Sequence, residues 1–356
     1  MFLPNNPPDT SSIPLHFLIG IGRSGTTLLT TMLNAHPNLV ATPENDFALF
    51  FQSQFADKDM SEAADIDLFV RLFNRPRQQA ISVWNPDSAT LRQIFARYPQ
   101  GISYADLCKE VYLSYSFKAE GSNDIRAIID KNPIYTLHIP LWVRLFPDAK
   151  FVVLVRDYRD NILSRKRTDK KSRLNATTIH ATVWNIYYRH ILRAQQQNPQ
   201  RFLTIRYEDL AANAETVLRQ ICSFLAISFE PVMLEAYRQN ELLKSKRVKE
   251  NISQADYEHI SAMHENLSRP VNTDRVAAWQ REMSIVDRAT AEQICGQLGE
   301  RFGYATTLDI SWFQKMRIFA KQLVLGTYAH FYTEVWAKRV FYLPLKWRLF
   351  FASLTQ

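Results

Sequence analysis

Cysteine is scarce in this 356-residue chain, which has only Cys108, Cys222 and Cys295. They are odd in number and too widely spaced for a zinc or redox motif, so a disulfide-stapled fold is excluded and three small buried hydrophobes in a reducing, cytoplasmic setting are expected. Long apolar runs are missing too. None reaches the roughly 18 to 20 residues of a membrane-spanning helix. Residues Met1 to Ser12 hold Pro4, Pro7 and Pro8 but no basic residue and no apolar h-region, which argues against a secretory signal and for a loose arm. Repeats and low-complexity segments are absent. What remains is a globular chain, 46% apolar and 22% charged, long enough for one large domain or two modest ones.

Charge is unevenly spread. The formal net charge is +8, yet residues 311 to 356 hold seven basic side chains against Glu334 alone. The body is therefore nearly neutral, and its composition offers no basic face to a nucleic acid. Four short apolar runs, Leu15 to Gly20, Ala127 to Asp130, Phe151 to Arg156 and Phe202 to Arg206, read as buried parallel strands, each leading into a helical pattern. This predicts an α/β class: a P-loop-type three-layer fold around a central parallel sheet. Residues 43 to 125, with helical periodicity in Asp67 to Phe73 and Tyr104 to Phe117, read as a helical insertion over the carboxyl edge of the sheet, where ligands bind in such folds. Helices are expected at Glu215 to Leu225, Pro231 to Asn240 and Arg288 to Phe302, the last capped by Gly303, with a basic polar loop from Lys244 to Asn251.

The sharpest motif is Gly20-Ile21-Gly22-Arg23-Ser24-Gly25-Thr26-Thr27, a strand entering a glycine-bearing turn and then a helix. Such a turn aims backbone N–H groups and the positive helix end at an anion. Gly20 and Gly25 have the spacing of a nucleotide P-loop, but its lysine position is Thr26; only the hydroxyl position, Thr27, matches. The nearest cation is Arg23, suited to a planar grip on an oxygen pair. A second strand-to-helix junction places Arg156 at a strand end and Ser164 eight residues on, close enough to converge on one phosphate.

These residues resemble the sulfotransferases that use 3′-phosphoadenosine 5′-phosphosulfate (PAPS), in the arginine-loop variant of the tyrosylprotein sulfotransferases and many bacterial relatives. The resemblance covers about residues 14 to 304. It implies that Gly22, Arg23, Ser24, Gly25, Thr26 and Thr27 form the 5′-phosphosulfate loop, that Arg156 and Ser164 hold the 3′-phosphate, and that Tyr207, in Arg206-Tyr207-Glu208-Asp209, lies near the nucleotide. Ser268-Arg269-Pro270, followed by Ala278-Trp279, resembles the late basic segment, which makes Arg269 a phosphate ligand. Glu44, which follows a short extended segment 21 residues after Arg23, matches the glutamate taken as base in the tyrosylprotein branch. Lys131, in Asp130-Lys131-Asn132-Pro133, matches the lysine that points at the sulfuryl group, with Arg23 sharing the leaving-group oxygens. His36 is a lesser alternative base. The co-substrate implied is PAPS, the product adenosine 3′,5′-bisphosphate, and no metal is expected. The acceptor is a hydroxyl on carbohydrate, lipid or protein tyrosine; an ATP-using kinase and a non-catalytic adaptor are the competing readings.

The basic tail, 305 to 356, is dense in aromatics and expected to be helical. Trp312, Met316, Phe319 and Leu323 share one face, with Lys315, Arg317 and Lys321 around it, the pattern of an interfacial helix. Contact with a membrane or another subunit and docking on the body are both open readings.

Overall fold

The computed structural model describes residues 10–73, 84–115, 124–168, 175–237 and 271–354. Five strands form one parallel sheet: β1 (Leu15–Gly20), β2 (Leu39–Thr42), β3 (Ala127–Lys131), β4 (Phe151–Val155) and β5 (Phe202–Arg206), in the order β2-β3-β1-β4-β5. Phe17 sits opposite Asp130 on one side and Phe151 on the other, which fixes the register. The short segment before Glu44 is thus an edge strand, paired with β3 from Leu39 to Thr42.

Alternate residues of each central strand feed two cores, as the period of two demands. Leu18, Ile129, Val152 and Leu154 face α1 (Thr26–Asn34), α9 (Tyr207–Ala212) and α10 (Ala214–Leu225). Phe17, Ile128 and Val153 face the larger layer. That layer holds the insertion helices α2 (Phe47–Phe55), α3 (Ala63–Phe73), α4 (Ser88–Ala96) and α5 (Tyr104–Leu113), then α6 (Ile139–Leu145), α7 (Tyr158–Thr168) and α8 (Thr177–Gln197). After α10 come α11 (Trp279–Glu282) and α12 (Ile285–Glu300), with Gly303 at φ 81° just beyond. From β1 the chain crosses toward β2, whereas from β4 it crosses the other way to β5, so the winding reverses between β1 and β4. A crevice therefore opens at the carboxyl ends of these two strands.

One expectation needs correction. Residues Thr10–Ser12 are not part of a loose arm: they form a 3₁₀ turn in which Thr10 is buried, bonded through its hydroxyl to Tyr98 at 3.1 Å and through its carbonyl to Lys109. The helix expected from Pro231 opens as a 3₁₀ turn, Pro231–Glu235, as its missing N–H allows, and is α-helical at 236–237; its remainder to Asn240 lies outside the described residues. The Lys244 to Asn251 loop lies outside the described residues.

Candidate active site

The loop after β1 is held in a conformation few sequences can adopt. Gly20 has φ 145°, and a Cβ there would lie 2.5 Å from the Leu154 carbonyl oxygen; Gly25 has φ 94°, and a Cβ would meet the Tyr207 ring at 2.5 Å. Arg23, at φ 71°, is the apex of the turn and carries strain that a non-glycine residue seldom bears outside functional loops. Neighbours fix the turn from below. Thr136 exchanges hydrogen bonds with both the N–H and the carbonyl of Gly20 at 3.1 Å. Asn161 on α7 donates to the Gly22 carbonyl at 3.0 Å and to the buried Ser24 hydroxyl at 3.1 Å. The N-terminus of α1, with Thr26 buried and Thr27 half-buried, then follows from Gly25.

The second junction meets the first directly. Arg156, just beyond β4, donates from Nη1 to the Arg23 carbonyl at 3.2 Å and from Nη2 to the Arg275 carbonyl at 2.7 Å, and its guanidinium lies 4.4 Å from the centre of the Tyr207 ring. Its Nε is buried and makes no hydrogen bond. Arg23 Nε donates to Ser164 Oγ at 3.3 Å. Gly22 to Thr27, Arg156, Ser164 and Tyr207 are therefore one cluster. Arg269 lies outside the described residues. The Arg159–Asp157 pair, by contrast, is structural: Arg159 forks onto Asp157 and Glu292 at 2.8 and 3.0 Å and stacks 3.9 Å from the Trp279 ring.

Two further cations border the cluster. Arg167 on α7 and Arg275 both pair with Glu282, and burial together with repulsion from Arg275 lowers the Arg167 pKa. Arg23, Arg156, Arg167 and Arg275 thus gather on one side of the loop, with Glu282 offsetting two of them. Neither Arg167 nor Arg275 stands out in sequence, since a chain distance of more than a hundred residues separates them. Asp160 beside them accepts from the Trp279 N–H at 2.8 Å, which docks the late segment, and burial raises its carboxyl to about 6.

Glu44 and Lys131 meet across the crevice. Lys131 ends β3, next to β2, and Glu44 lies two residues past the end of β2, so strand pairing brings together groups 87 positions apart: Lys131 Nζ donates to Glu44 Oε1 at 2.7 Å. The lysine side chain is 3% exposed and the glutamate 40%, which leaves a carboxylate open to an incoming group above a buried ammonium. Asp130 beneath them receives the Tyr112 hydroxyl, and burial pushes its carboxyl up to about 7. His36 is elsewhere. It is buried past the C-terminus of α1, held by the Ser228 carbonyl at 2.8 Å and the Asn38 N–H, about 15 Å along the helix from the loop. It is not placed to act as the base. No group of metal-ligating side chains occurs among the described residues.

A profile of the sulfotransferase family matches residues 14–231. The chain belongs to that family. It is 23% identical over 290 residues to protein-tyrosine sulfotransferase 1 of Danio rerio, covering 77% of this chain and 70% of the relative. It is 26% identical over 277 residues to protein-tyrosine sulfotransferase A of Caenorhabditis elegans, covering 75% of this chain and 61% of the relative. The fold matches the sulfotransferase domain from the Synechococcus PCC 7002 olefin synthase with a TM-score of 0.52 at 20% identity, over 84% of this chain and 96% of that one. The loop from Gly20 to Thr27, the first strand and the Glu44–Lys131 pair of this sulfotransferase all fall inside the matched span; Arg275 and the tail fall outside it.

Proposed function

We propose that this sulfotransferase moves a sulfuryl group from PAPS to an acceptor hydroxyl. Residues 13–304 would be the catalytic unit, with 43–125 on the acceptor side. The observation that carries the reading is the Glu44–Lys131 pair, held at 2.7 Å beside a loop whose backbone and cations suit an anion. In this reading the Gly22 to Thr27 backbone and Arg23 hold the 5′-phosphosulfate end, and Arg156 and Ser164 hold the 3′-phosphate beside Tyr207. The unpartnered Arg156 Nε and the crowding of Arg167 against Arg275 fit a ligand with two anionic ends. In this reading Arg275, whose carbonyl receives Arg156, is a further cation of the late segment near the 3′-phosphate.

The step balances without a redox partner. Glu44 accepts the acceptor's hydroxyl proton, the oxygen forms a bond to sulfur, and the bond from sulfur to the 5′-phosphate oxygen breaks in line. Lys131 and Arg23 stabilise the charge that grows on the sulfuryl and bridging oxygens. Calorimetry with adenosine 3′,5′-bisphosphate, AMP and ADP tests the assignment. Affinity for the bisphosphate should exceed the others by at least tenfold without magnesium; equal affinities would sink it. Radiolabelled PAPS offered to fractionated glycan, lipid and protein then names the acceptor class.

A further inference from the structure

We propose that the outer face of residues 312–350 binds the surface of an anionic lipid bilayer. Residues 312–337 run as one rod, α13 (Trp312–Lys321), a π-helical segment Gln322–Gly326, α14 (Thr327–His330) and a second π-helical segment Phe331–Ala337, followed by α15 (Leu345–Leu354). The rod packs on α8 with Gly326, Ala329 and Thr333, all buried, while Ile318 is buried in the helix that contacts α12. The seam is tight: a Cβ on Gly326 would lie 3.2 Å from Thr182 Oγ1. Against α8, small residues thus face the protein while large ones face outward, the reverse of a helix that merely covers a core. Phe313 is 74% exposed, Trp312 66%, Leu323 65% and Phe319 59%. Among the described residues, the large exposed hydrophobics outside 312–350 are only Val232, Ile285 and Val286. An apolar concentration of this kind marks an interaction surface.

Charge selects the occupant. Lys315, Arg317, Lys321, Arg339 and Lys346 are exposed around this face, whereas its one acid, Glu334, is spent on His190 at 2.6 Å and Lys338 at 3.4 Å. A second copy would set the same surplus of cations against itself. An anionic headgroup layer complements it, with aromatic rings seated at the boundary and lysine stems lying along it. No described helix is long and apolar enough to cross a membrane, so the geometry is one of lying on the surface.

Flotation of the full chain with vesicles of equal phosphatidylcholine and phosphatidylglycerol, against phosphatidylcholine alone, tests this. Binding to the mixed vesicles, weakened by salt, is expected. Phe313→Ser with Phe319→Ser should abolish it, and Lys315→Gln with Lys321→Gln should weaken it roughly 30-fold. Circular dichroism and adenosine 3′,5′-bisphosphate affinity should be unchanged in both, since all four side chains are exposed. Failure to float at low salt, or flotation of the Phe variant equal to the parent, overturns the proposal. So does a concentration-dependent dimer that the Phe variant dissociates, which would give the face to a second copy.

Discussion

Glu44 stands at the mouth of the crevice and Asp130 is buried beneath it, and these surroundings divide their roles. Glu44 is open to solvent on one side and bonded to Lys131 on the other, a position from which it can take a proton from an entering hydroxyl. Glu44→Gln should keep the affinity for adenosine 3′,5′-bisphosphate within a few-fold while turnover drops by about a hundredfold or more. Weakened nucleotide binding with intact turnover would refute the base role. Asp130 is wholly buried, and burial raises its carboxyl from 3.8 to about 7. Between these values the native state keeps a proton that the unfolded chain has lost, so stability falls as pH climbs through the window and is level above it. Urea midpoints at pH 5 and pH 8 should therefore differ more in the parent than in Asp130→Asn, which keeps an acceptor for the Tyr112 hydroxyl. Equal differences would contradict this.

At the scale of elements, the loop between β1 and α1 depends on backbone that side chains seldom permit. Gly25→Ala would place a Cβ against the Tyr207 ring at positive φ, and a loss of about 1 to 3 kcal/mol in stability, with weaker nucleotide binding, should appear in denaturation and calorimetry. Strands β1, β3, β4 and β5 and the loop were legible in sequence because each strand is a short apolar run closed by glycine, lysine or arginine. β2 was less so: Leu39 to Thr42 is brief, lies at the edge, and shows as a strand only once β3 pairs with it. The Arg23, Arg156 and Ser164 contacts join two motifs that the sequence presents as separate sites, because backbone carbonyls, which carry no residue signature, supply part of the junction. In the tail, the period of Trp312, Met316, Phe319 and Leu323 was readable, but not its direction, which the small residues at Gly326 and Ala329 decide.

Across the whole molecule, the tail carries most of the charge surplus and is nonetheless anchored. Gln52 donates to the Phe341 carbonyl at 3.4 Å, His138 and the Tyr342 hydroxyl lie 3.1 Å apart, and Arg348 is buried with its guanidinium 5.0 Å from the Phe50 ring. Phe341 is 1% exposed, so Phe341→Ala should cost about 3 to 5 kcal/mol in chemical denaturation. A cost under about 1 kcal/mol would mean that the tail does not support the body. The anchors also have a particular address. Helix α2 begins three residues after Glu44, and the 3₁₀ turn Pro133–His138 begins two residues after Lys131; Phe341 and Tyr342 grip the far parts of both. The chain's last segment is thus a clasp across the two arms that carry the reacting pair, and loosening it, as in Tyr342→Phe, should slow turnover while leaving nucleotide affinity in place.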